Sequence, residues 1–250
     1  MIAPVVRAGE CRVWWADPWE QTIGTLTETL SESELDRAGR FHREQDRRRY
    51  LTGAWLLRTV TARQLGIEPG EVSVDRRCPG CAKMHGKPHI RDTPLHVSVT
   101  HSADRVGVAL TTAGPLGVDV EAVPAGSFDD LARCALSPAE SLAVEAVPER
   151  ERHAAFTGLW VRKEAVLKAT GHGLRIPPEQ VEMTGPFDPA PALLRWPLTI
   201  PPGGVRIRLL HPGAGYAGAL AVITDDAVSV AESYIGRLHT ARSAVAVTAA

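Results

Sequence analysis

The sequence predicts an α+β fold, because strand-like and helix-like segments are grouped along the chain rather than strictly alternating. Strand patterns cluster between residues 95 and 121, and helical patterns dominate residues 128–170. The 250 residues are 44% hydrophobic and 23% charged, which is typical of a globular protein with a sizeable core. This length allows one or two domains, and the Gly114–Pro115 turn is the best boundary between two halves.

The first part of the chain is expected to contain a strand and a long helical region. Arg12–Ala16 has the apolar character of a strand. Ser31 and Glu34 have the spacing of a capping box, in which each side chain bonds the backbone N–H of the other residue. A helical pattern with one break then runs from about residue 32 to residue 65, and Gly66 marks its end.

Three short strand patterns follow one another after a loop that is rich in Pro and Gly. The first alternates cleanly, with Leu95, Val97 and Val99 on one face. Connections of a few residues are typical of antiparallel neighbours, so we expect the three strands to pair in sequence. The three patterns cover residues 95–99, 106–110 and 116–121.

The remainder of the chain carries three helix patterns followed by three strand patterns. The helices are expected at 128–133, 138–146 and 149–170, and the strands at 181–183, 205–210 and 218–224. We divide the chain into an N-terminal half (1–114), a C-terminal half with the candidate metal site (115–225) and a C-terminal tail (226–250). The apolar pattern of the last twenty residues is weak, and we expect them to fray.

Charge and hydropathy narrow the possible classes of protein. A formal net charge of −1 gives no basic footprint for nucleic acid. The longest apolar runs are too short to cross a bilayer, and Arg7 and Glu10 precede any long apolar segment, unlike in a signal peptide. We therefore expect a cytoplasmic protein without nucleic-acid or membrane partners. Four cysteines are too few for a disulfide scaffold.

Asp119 and Glu121 alternate with valines in the third strand pattern. In a strand, their side chains would share one face while Val118 and Val120 face the core. Two neighbouring carboxylates raise each other's pKa unless a cation neutralises them, and Mg²⁺ prefers such oxygen ligands. The alternative interpretation is an amphipathic strand with a solvated acidic face.

Trp160, Glu164 and Lys168 form one stripe of the longest C-terminal helix pattern, at positions i, i+4 and i+8. A surface Glu–Lys pair worth about 0.3–0.5 kcal/mol is the simplest alternative. An exposed ion pair does not need a tryptophan on its stripe, which favours a functional site. Together with the acidic strand, this helix would supply three carboxylates for a divalent cation and a lysine for a phosphate.

Other polar residues suggest an anion site. Thr100, His101 and Ser102 lie where a strand ends, and a histidine between hydroxyls can hold an anion, although local backbone bonds in a turn are the alternative. Arg49 shares a helix stripe with Gly53, and a glycine inside a helix usually allows close approach of another group. We expect an opening there, with Arg49 at its edge able to grip a phosphate.

Cys78 and Cys81 form a C-x-x-C pair with His85 and His89 nearby, which is half of a zinc-site pattern. A fourth ligand is not evident, so reduced loop cysteines are the alternative. If zinc did bind at Cys78 and Cys81, the chain would fit a zinc-stabilised interaction module.

The order of these motifs resembles 4′-phosphopantetheinyl transferases of the Sfp type. The paired signature consists of residues 117–121 and 160–168, and shorter matches in the family's order occur at residues 41–49, 86–88, 99–102 and 137–140. The resemblance implies two similar α/β halves related by a pseudo-twofold axis, with the active site at their interface. A chain that contains both halves has no need to pair, so we expect a monomer.

The resemblance also implies a reaction and its residues. The family transfers the 4′-phosphopantetheine arm of coenzyme A to a serine of an acyl or peptidyl carrier protein and releases 3′,5′-ADP. Magnesium would be held by Asp119, Glu121 and Glu164, with Glu164 or a water on the metal as the base and Lys168 steadying the pyrophosphate and the leaving group. The residues expected at the 3′-phosphate and adenylate end are Arg37, Arg49, Lys87, Thr100 and His101.

Two points stay open at the level of sequence. Glu140 matches an acidic position near the family's metal, yet Ser137 and Glu140 also have the spacing of a capping box. A magnesium-dependent hydrolase of coenzyme A-like pyrophosphates would use the same ligands and activate water instead of a serine.

Overall fold

The computed structural model describes residues 5–78, 80–81, 83, 86–198 and 204–236. The helices are α1 (Ile23–Thr27), α2 (Glu32–Gly39), α3 (Glu44–Leu65), α4 (Asp129–Ala135), α5 (Pro138–Glu145) and α6 (Glu149–Ala169). The strands are β1 (Glu10–Ala16), β2 (Val74–Asp75), β3 (His89–Ile90), β4 (His96–Ser102), β5 (Arg105–Thr111), β6 (Leu116–Ala122), β7 (Glu182–Met183), β8 (Leu193–Arg195), β9 (Val205–Leu210), β10 (Tyr216–Ile223) and β11 (Ser229–Tyr234). This mixture of helices and strands confirms the predicted α+β class.

Two sheets carry the architecture. The first has the strand order β11-β1-β5-β4, and the second has the order β6-β10-β9. A long helix covers each sheet, α3 on the first and α6 on the second. A third core lies between the sheets, where Val13 and Trp15 from β1 meet Val118 and Val120 from β6. The layers are therefore helix, sheet, sheet, helix.

The helix boundaries follow local sequence signals. The capping box predicted at Ser31 and Glu34 is present, with both reciprocal bonds formed at the start of α2. Gly66 ends α3 with a left-handed φ of 70°, as predicted for a glycine that follows a helix. None of the helices in the described ranges combines the length and apolar character that crossing a bilayer requires.

Gly53 allows the close approach of another group that is predicted for a glycine inside a helix. A Cβ atom at this position would lie 3.1 Å from Val99 Cγ1 and 3.6 Å from Val106 Cγ1. The glycine therefore lets α3 lie close against β4 and β5. The expectation of an opening beside Arg49 is wrong, because the first sheet fills that space.

The third predicted strand does not pair with the second. β4 and β5 are antiparallel neighbours as expected, but β6 pairs with β10 in the other sheet. The chain crosses between sheets at Gly114, whose φ of 151° is suited to glycine and where a Cβ would lie 2.2 Å from Ile223 O. The expectation that all three strands pair in sequence is therefore wrong for β6.

The predicted tail contains a strand. β11 runs parallel to β1, with Glu10 opposite Ser229 and Trp15 opposite Tyr234. The expectation of fraying is wrong for residues 231–234, because backbone hydrogen bonds hold them to the first sheet. Residues 237–250 lie outside the described part of the chain.

Candidate active site

Hydroxyl groups of β4 join the two sheets at their facing edges. Ser98 Oγ, Thr100 Oγ1 and Ser102 Oγ accept hydrogen bonds of 3.1 Å from the backbone N–H groups of Val118, Val120 and Ala122, respectively. Alternate residues of a strand share one face, which brings the three hydroxyls into one row. We call Ser98, Thr100 and Ser102 the hydroxyl row. It satisfies N–H groups on the outer edge of β6 that would otherwise need water.

Asp119 is buried at this junction, with 3% of its surface exposed. Its Oδ1 accepts bonds from Thr100 Oγ1 at 3.0 Å and from Lys168 Nζ at 2.6 Å. Its Oδ2 is buried and has no hydrogen-bond partner among the described residues. The alternative of a solvated acidic face is therefore wrong, and one carboxylate oxygen remains available to a ligand.

Glu121 is half-buried beside Asp119 on the same face of β6. Ser102 Oγ donates to Glu121 Oε2 at 2.7 Å. Burial raises the pKa of Glu121 and the negative charge of Asp119 adds to this, whereas the hydrogen bonds from Ser102 and Trp160 and the charge of Lys168 lower it. Loss of hydration dominates, so this carboxylate gains from any cation that approaches it.

Glu164 reaches the same neighbourhood from α6. Burial raises its pKa, and the charges of Asp119 and Glu121 raise it further, while Lys168 opposes them. Its Oε1 is buried and unpartnered within the described ranges. The three predicted metal-binding carboxylates therefore act on one another, although they come from a strand and a helix more than forty positions apart.

Lys168 points at the acidic strand rather than along its own helix. Its Nζ contacts Asp119 Oδ1, Val118 O at 3.2 Å and Thr100 Oγ1 at 3.5 Å. Gly117 makes this possible, because a Cβ there would lie 2.0 Å from Ala165 O and 2.5 Å from Ala169 N. The missing side chain lets α6 approach β6 closely enough for the lysine to cross between them.

The three carboxylates do not by themselves form a complete set of metal ligands. Within the part of the chain that the structure describes, no three His, Cys, Asp or Glu side chains surround a common point suited to a metal ion. Two of the three carboxylates nevertheless have a buried oxygen that lacks a partner. Oxygen acceptors that are buried and unpaired are costly, and a hard divalent cation is a ligand that would satisfy them.

Arg49 and His101 lie beside this centre. Arg49 Nε donates to Ala103 O at 2.7 Å, and its Nη1 pairs with Asp46 at 2.8 Å. Loss of hydration lowers the pKa of His101, and the charges of Lys168 and Arg49 lower it further. The charges of Lys168 and Arg49 therefore reach His101 and favour its neutral form.

Lys87 contacts two backbone carbonyl groups, one at the start of β6 and one at the end of α6. Its Nζ lies 2.7 Å from Leu116 O and 3.4 Å from Ala169 O. Although Lys87 as a whole is exposed, loss of hydration around its ammonium group lowers its pKa to about 8. The ammonium thus lies near the end of α6 and the start of β6, two residues along the strand from the carbonyl that Lys168 contacts.

Arg37 is separated from the other predicted residues. Its guanidinium lies 5.3 Å from the centre of the Tyr50 ring, in a cavity of about 640 Å³. The other basic residues that line this cavity are Arg40, Arg76 and Lys83. None of the acidic residues of the candidate site lines it.

Glu140 has a structural role. Its Oε2 accepts from Ser137 N at 2.7 Å and pairs with the buried Lys163, and its Oε1 accepts from Met183 N at 2.9 Å. The capping box at the start of α5 is complete. Both carboxylate oxygens are thus engaged, and the capping interpretation is confirmed.

A second cavity, of about 550 Å³, opens beside Glu121. Its walls are largely apolar and include Phe128, Phe156 and Trp160. Phe128 stacks on Phe156 with ring centres 4.6 Å apart. The acidic centre therefore lies at the edge of a cleft large enough for part of another molecule.

Comparison with known proteins identifies the family. A model described as the 4′-phosphopantetheinyl transferase superfamily matches residues 115–221, and one described as 4′-phosphopantetheinyl transferase, N-terminal, matches residues 13–113. The 4′-phosphopantetheinyl transferase HetI of Nostoc sp. is 32% identical over 180 residues, covering 70% of this chain and 73% of that protein. The chain belongs to the 4′-phosphopantetheinyl transferase superfamily.

Other relatives agree with this membership. A 4′-phosphopantetheinyl transferase of Bacillus subtilis is 30% identical, and the transferase Sfp of Bacillus subtilis strain 168 is 29% identical. Each alignment covers 59% of this chain and 63% of the relative. The predicted resemblance to the Sfp type is thereby confirmed. The solved holo-[acyl-carrier-protein] synthase of Thermotoga maritima has 26% identity and a TM-score of 0.35, covering 45% of this chain and 63% of its own, a likeness too weak to assign the fold.

The cysteine loop of this superfamily member gives no support to a zinc site. Cys78 and Cys81 are not joined by a disulfide, and no group of three possible zinc ligands occurs within the described ranges. His85 lies outside those ranges. Hydrogen bonds from the backbone N–H groups of Gly80 and Cys81 lower the pKa of Cys78.

The sequence does not identify two contributors to the site. It indicates Ser102 only as a neighbour of His101, and Gly117 only as part of a motif. A signal for the first exists, because hydroxyl residues alternate at 98, 100 and 102 within a strand pattern. The close approach at Gly117 depends on α6, and no local pattern reports it.

Proposed function

We propose that the chain transfers the 4′-phosphopantetheine arm of coenzyme A to a serine of an acyl or peptidyl carrier protein, releasing 3′,5′-ADP. The observation that carries this proposal is the convergence of Asp119, Glu121 and Glu164 beside Lys168 in a member of the transferase superfamily. Phosphoryl-type transfer depends mainly on positioning and charge neutralisation, and the acceptor supplies the nucleophile. Side chains suited to both tasks surround the centre.

Magnesium is the proposed cofactor, held by Asp119, Glu121 and Glu164. The unpartnered oxygens Asp119 Oδ2 and Glu164 Oε1 support this assignment, because Mg²⁺ takes a small number of carboxylate ligands and leaves other positions to phosphate and water. When bound, Mg²⁺ would neutralise charge on the pyrophosphate of coenzyme A.

Glu164 and Lys168 have the proposed catalytic roles. Burial raises the pKa of Glu164, which makes its carboxylate a better proton acceptor. We assign to it the proton of the acceptor serine. Lys168 would steady the pyrophosphate and balance the negative charge that develops on the leaving 3′,5′-ADP.

Arg49, Lys87 and His101 are proposed to bind the phosphate-rich end of coenzyme A. Arg49 pairs with Asp46 in this structure, so a phosphate would replace one carboxylate partner with another anion. Thr100 is assigned instead to Asp119, because its hydroxyl already accepts from Val120 and donates to that carboxylate. Arg37 would contribute only if the coenzyme extended into the 640 Å³ cavity.

The acceptor is proposed to enter along the apolar cleft beside Glu121. Leu131 at this cleft is 45% exposed, and its apolar neighbours offer anchors for a carrier protein. The incoming serine would then lie next to Glu121, which lines this cleft, and the enzyme would need no nucleophile of its own.

Further features of the enzyme remain predictions. They include the division into residues 1–114, 115–225 and 226–250 and the pseudo-twofold relation of the two halves. They also include the monomeric state, the cytoplasmic location and the absence of nucleic-acid and membrane partners. The twofold relation is supported by one observation, since each half places one long helix, α3 or α6, against one antiparallel group of strands.

The decisive experiment incubates the purified chain with coenzyme A, Mg²⁺ and a panel of apo carrier proteins, followed by mass spectrometry of each carrier. A mass gain of one phosphopantetheine, absent without Mg²⁺ and absent when the carrier serine is replaced by alanine, is the expected result. Cleavage of coenzyme A with no modified carrier would instead support a hydrolase, for which the comparisons give no support.

A further inference from the structure

The junction between β4 and β6 repeats one unit. A hydroxyl at position n of β4 accepts a bond from the backbone N–H at position n+20 of β6, for Ser98, Thr100 and Ser102 alike. The residue at n+19 is Asp119 in the second unit and Glu121 in the third, and each accepts a bond from its hydroxyl. In the first unit this residue is Gly117, which has no side chain.

The bonding of each hydroxyl determines where its proton points. A serine hydroxyl has one proton and two acceptor lone pairs. Because Ser102 Oγ accepts the N–H of Ala122, its own proton is directed to the second partner, Glu121 Oε2, at 2.7 Å. The backbone of β6 therefore orients the hydroxyl that in turn holds the carboxylate of the preceding residue.

We propose that Ser102 is a positioning residue that holds Glu121 by Oε2 and so fixes the orientation of this carboxylate toward the divalent cation of the active site. This inference rests on the proposed function, because it takes Glu121 to be a metal ligand. Ser102 itself contacts neither the cation nor the substrate. Loss of a group that orients a ligand in this way typically lowers metal affinity by about 10- to 100-fold.

A purely structural role for Ser102 is the competing explanation, and the hydroxyl row contains its own control. Ser98 makes the same 3.1 Å bond to β6 and is buried, but it faces Gly117 and has no carboxylate to orient. Ser98→Ala therefore removes a bridge between the sheets without touching a metal ligand. Ser102→Ala removes a bridge and the orientation of Glu121 together.

A conservative replacement is also available. The middle unit already uses a threonine, so Ser102→Thr keeps the hydroxyl in a side chain that this strand accepts. Ser102→Val has nearly the same shape as threonine but cannot donate to Glu121. These two variants separate the hydroxyl from packing, even if Ser102→Ala folds poorly.

The experiment measures binding of Mn²⁺, a hard cation whose free form is visible by electron paramagnetic resonance, to the full chain with coenzyme A present and carrier absent. Ser102→Ala and Ser102→Val are expected to weaken Mn²⁺ binding by about tenfold or more. Ser98→Ala and Ser102→Thr are expected to keep the affinity of the unmodified chain. Thermal unfolding of all four variants reports the structural contribution separately.

The outcomes separate the two proposals. Equal Mn²⁺ affinity in Ser102→Val and Ser102→Thr would overturn the role of Ser102 while leaving transfer by the unmodified chain intact. Weakening by Ser98→Ala to the same degree would also overturn it, because the effect would then belong to the sheet junction. If the unmodified chain bound no Mn²⁺, both the metal site and the positioning role would be wrong.

Discussion

Two buried acid–base pairs on α6 can be compared directly. Lys163 pairs with Glu140, and five residues later Lys168 pairs with Asp119. Lys163 is fully buried and also donates to Ala135 O and Pro178 O, whereas the side chain of Lys168 keeps 29% of its surface exposed. The first pair lies among α5, α6 and β7, and the second joins α6 to β6.

The pairs differ in how completely their polar atoms are satisfied. Both oxygens of Glu140 accept bonds from protein groups. Asp119 uses one oxygen and leaves the other buried without a partner among the described residues. A closed set of bonds holds elements together, whereas an open set leaves an atom that a ligand can satisfy. Under the proposed function, the same residue types serve structure in the first pair and chemistry in the second.

The largest effect is expected from Asp119→Asn, which keeps the shape of the side chain but removes its charge. Transfer to a carrier should fall by about 100- to 1000-fold, as is typical when an electrostatic contributor to catalysis is lost. Stability should change little, because Lys168 can reach water. The initial rate of holo-carrier formation and urea unfolding of the same preparation measure the two quantities. A nearly normal rate would show that the open pair is not the active site.

The matching test of the closed pair is Lys163→Ala. Removing one partner of a buried pair leaves the other charge without compensation, so the free energy of unfolding should fall by about 3–5 kcal/mol. Urea unfolding measures this loss. The double variant Lys163→Met with Glu140→Gln should recover part of it, because the second change removes the uncompensated charge while the amide oxygen can still accept from a backbone N–H. If Lys163→Ala instead lost activity per folded molecule at full stability, the contrast between the pairs would fail.

Gly117→Ala tests whether the open pair depends on the close approach of α6 to β6. The added methyl group would overlap Ala165 O and Ala169 N, so the helix must move away, at a cost of about 1–3 kcal/mol. Lys168 and Glu164 move with it, so we expect the transfer rate per folded molecule to fall in addition to the loss in the free energy of unfolding. Gly158→Ala on the same helix, where a Cβ would lie 3.5 Å from Pro186 O, is the matched control and should leave transfer unchanged.

The smallest effect concerns pH. The pKa of Lys87 is lowered to about 8, below its ordinary value of 10.5, so the ammonium loses its proton as the pH rises through 8. A phosphate bound by this lysine would then lose a charge-assisted bond, and coenzyme A affinity should fall by about tenfold between pH 7 and pH 9. Lys87→Arg, which stays charged, should remove this fall in a calorimetric titration. Identical pH profiles would exclude Lys87 from coenzyme A binding.

The sequence predicted the parts of the site that depend on local periodicity. Alternation placed Asp119 and Glu121 on one face of β6, and helical spacing placed Glu164 and Lys168 on one stripe of α6, because side-chain direction follows the backbone repeat. It did not predict that Lys168 would pair with Asp119 rather than remain a surface partner of Glu164. That choice depends on how closely the helix approaches the strand.

Long-range pairing accounts for most of the differences in the fold. The passage of β6 into the second sheet and the pairing of β11 with β1 join segments that no local pattern connects. Gly53 and Glu140 illustrate the same limit, because packing against β4 and a bond to Lys163 decide their roles. The residue types at positions 53 and 140 limit the roles that these residues can have. The tertiary contacts decide which of those roles each residue takes.

The parallel pairing of β11 with β1 has a consequence for biosynthesis. One edge of β1 stays uncovered until Ser229–Tyr234 has left the ribosome, so the first sheet cannot be completed during translation of the preceding residues. An N-terminal fragment that ends at Gly114 would expose that edge and invite association with other chains. Attempts to produce the halves separately would therefore need the final strand to be supplied, either as a peptide or by circular permutation.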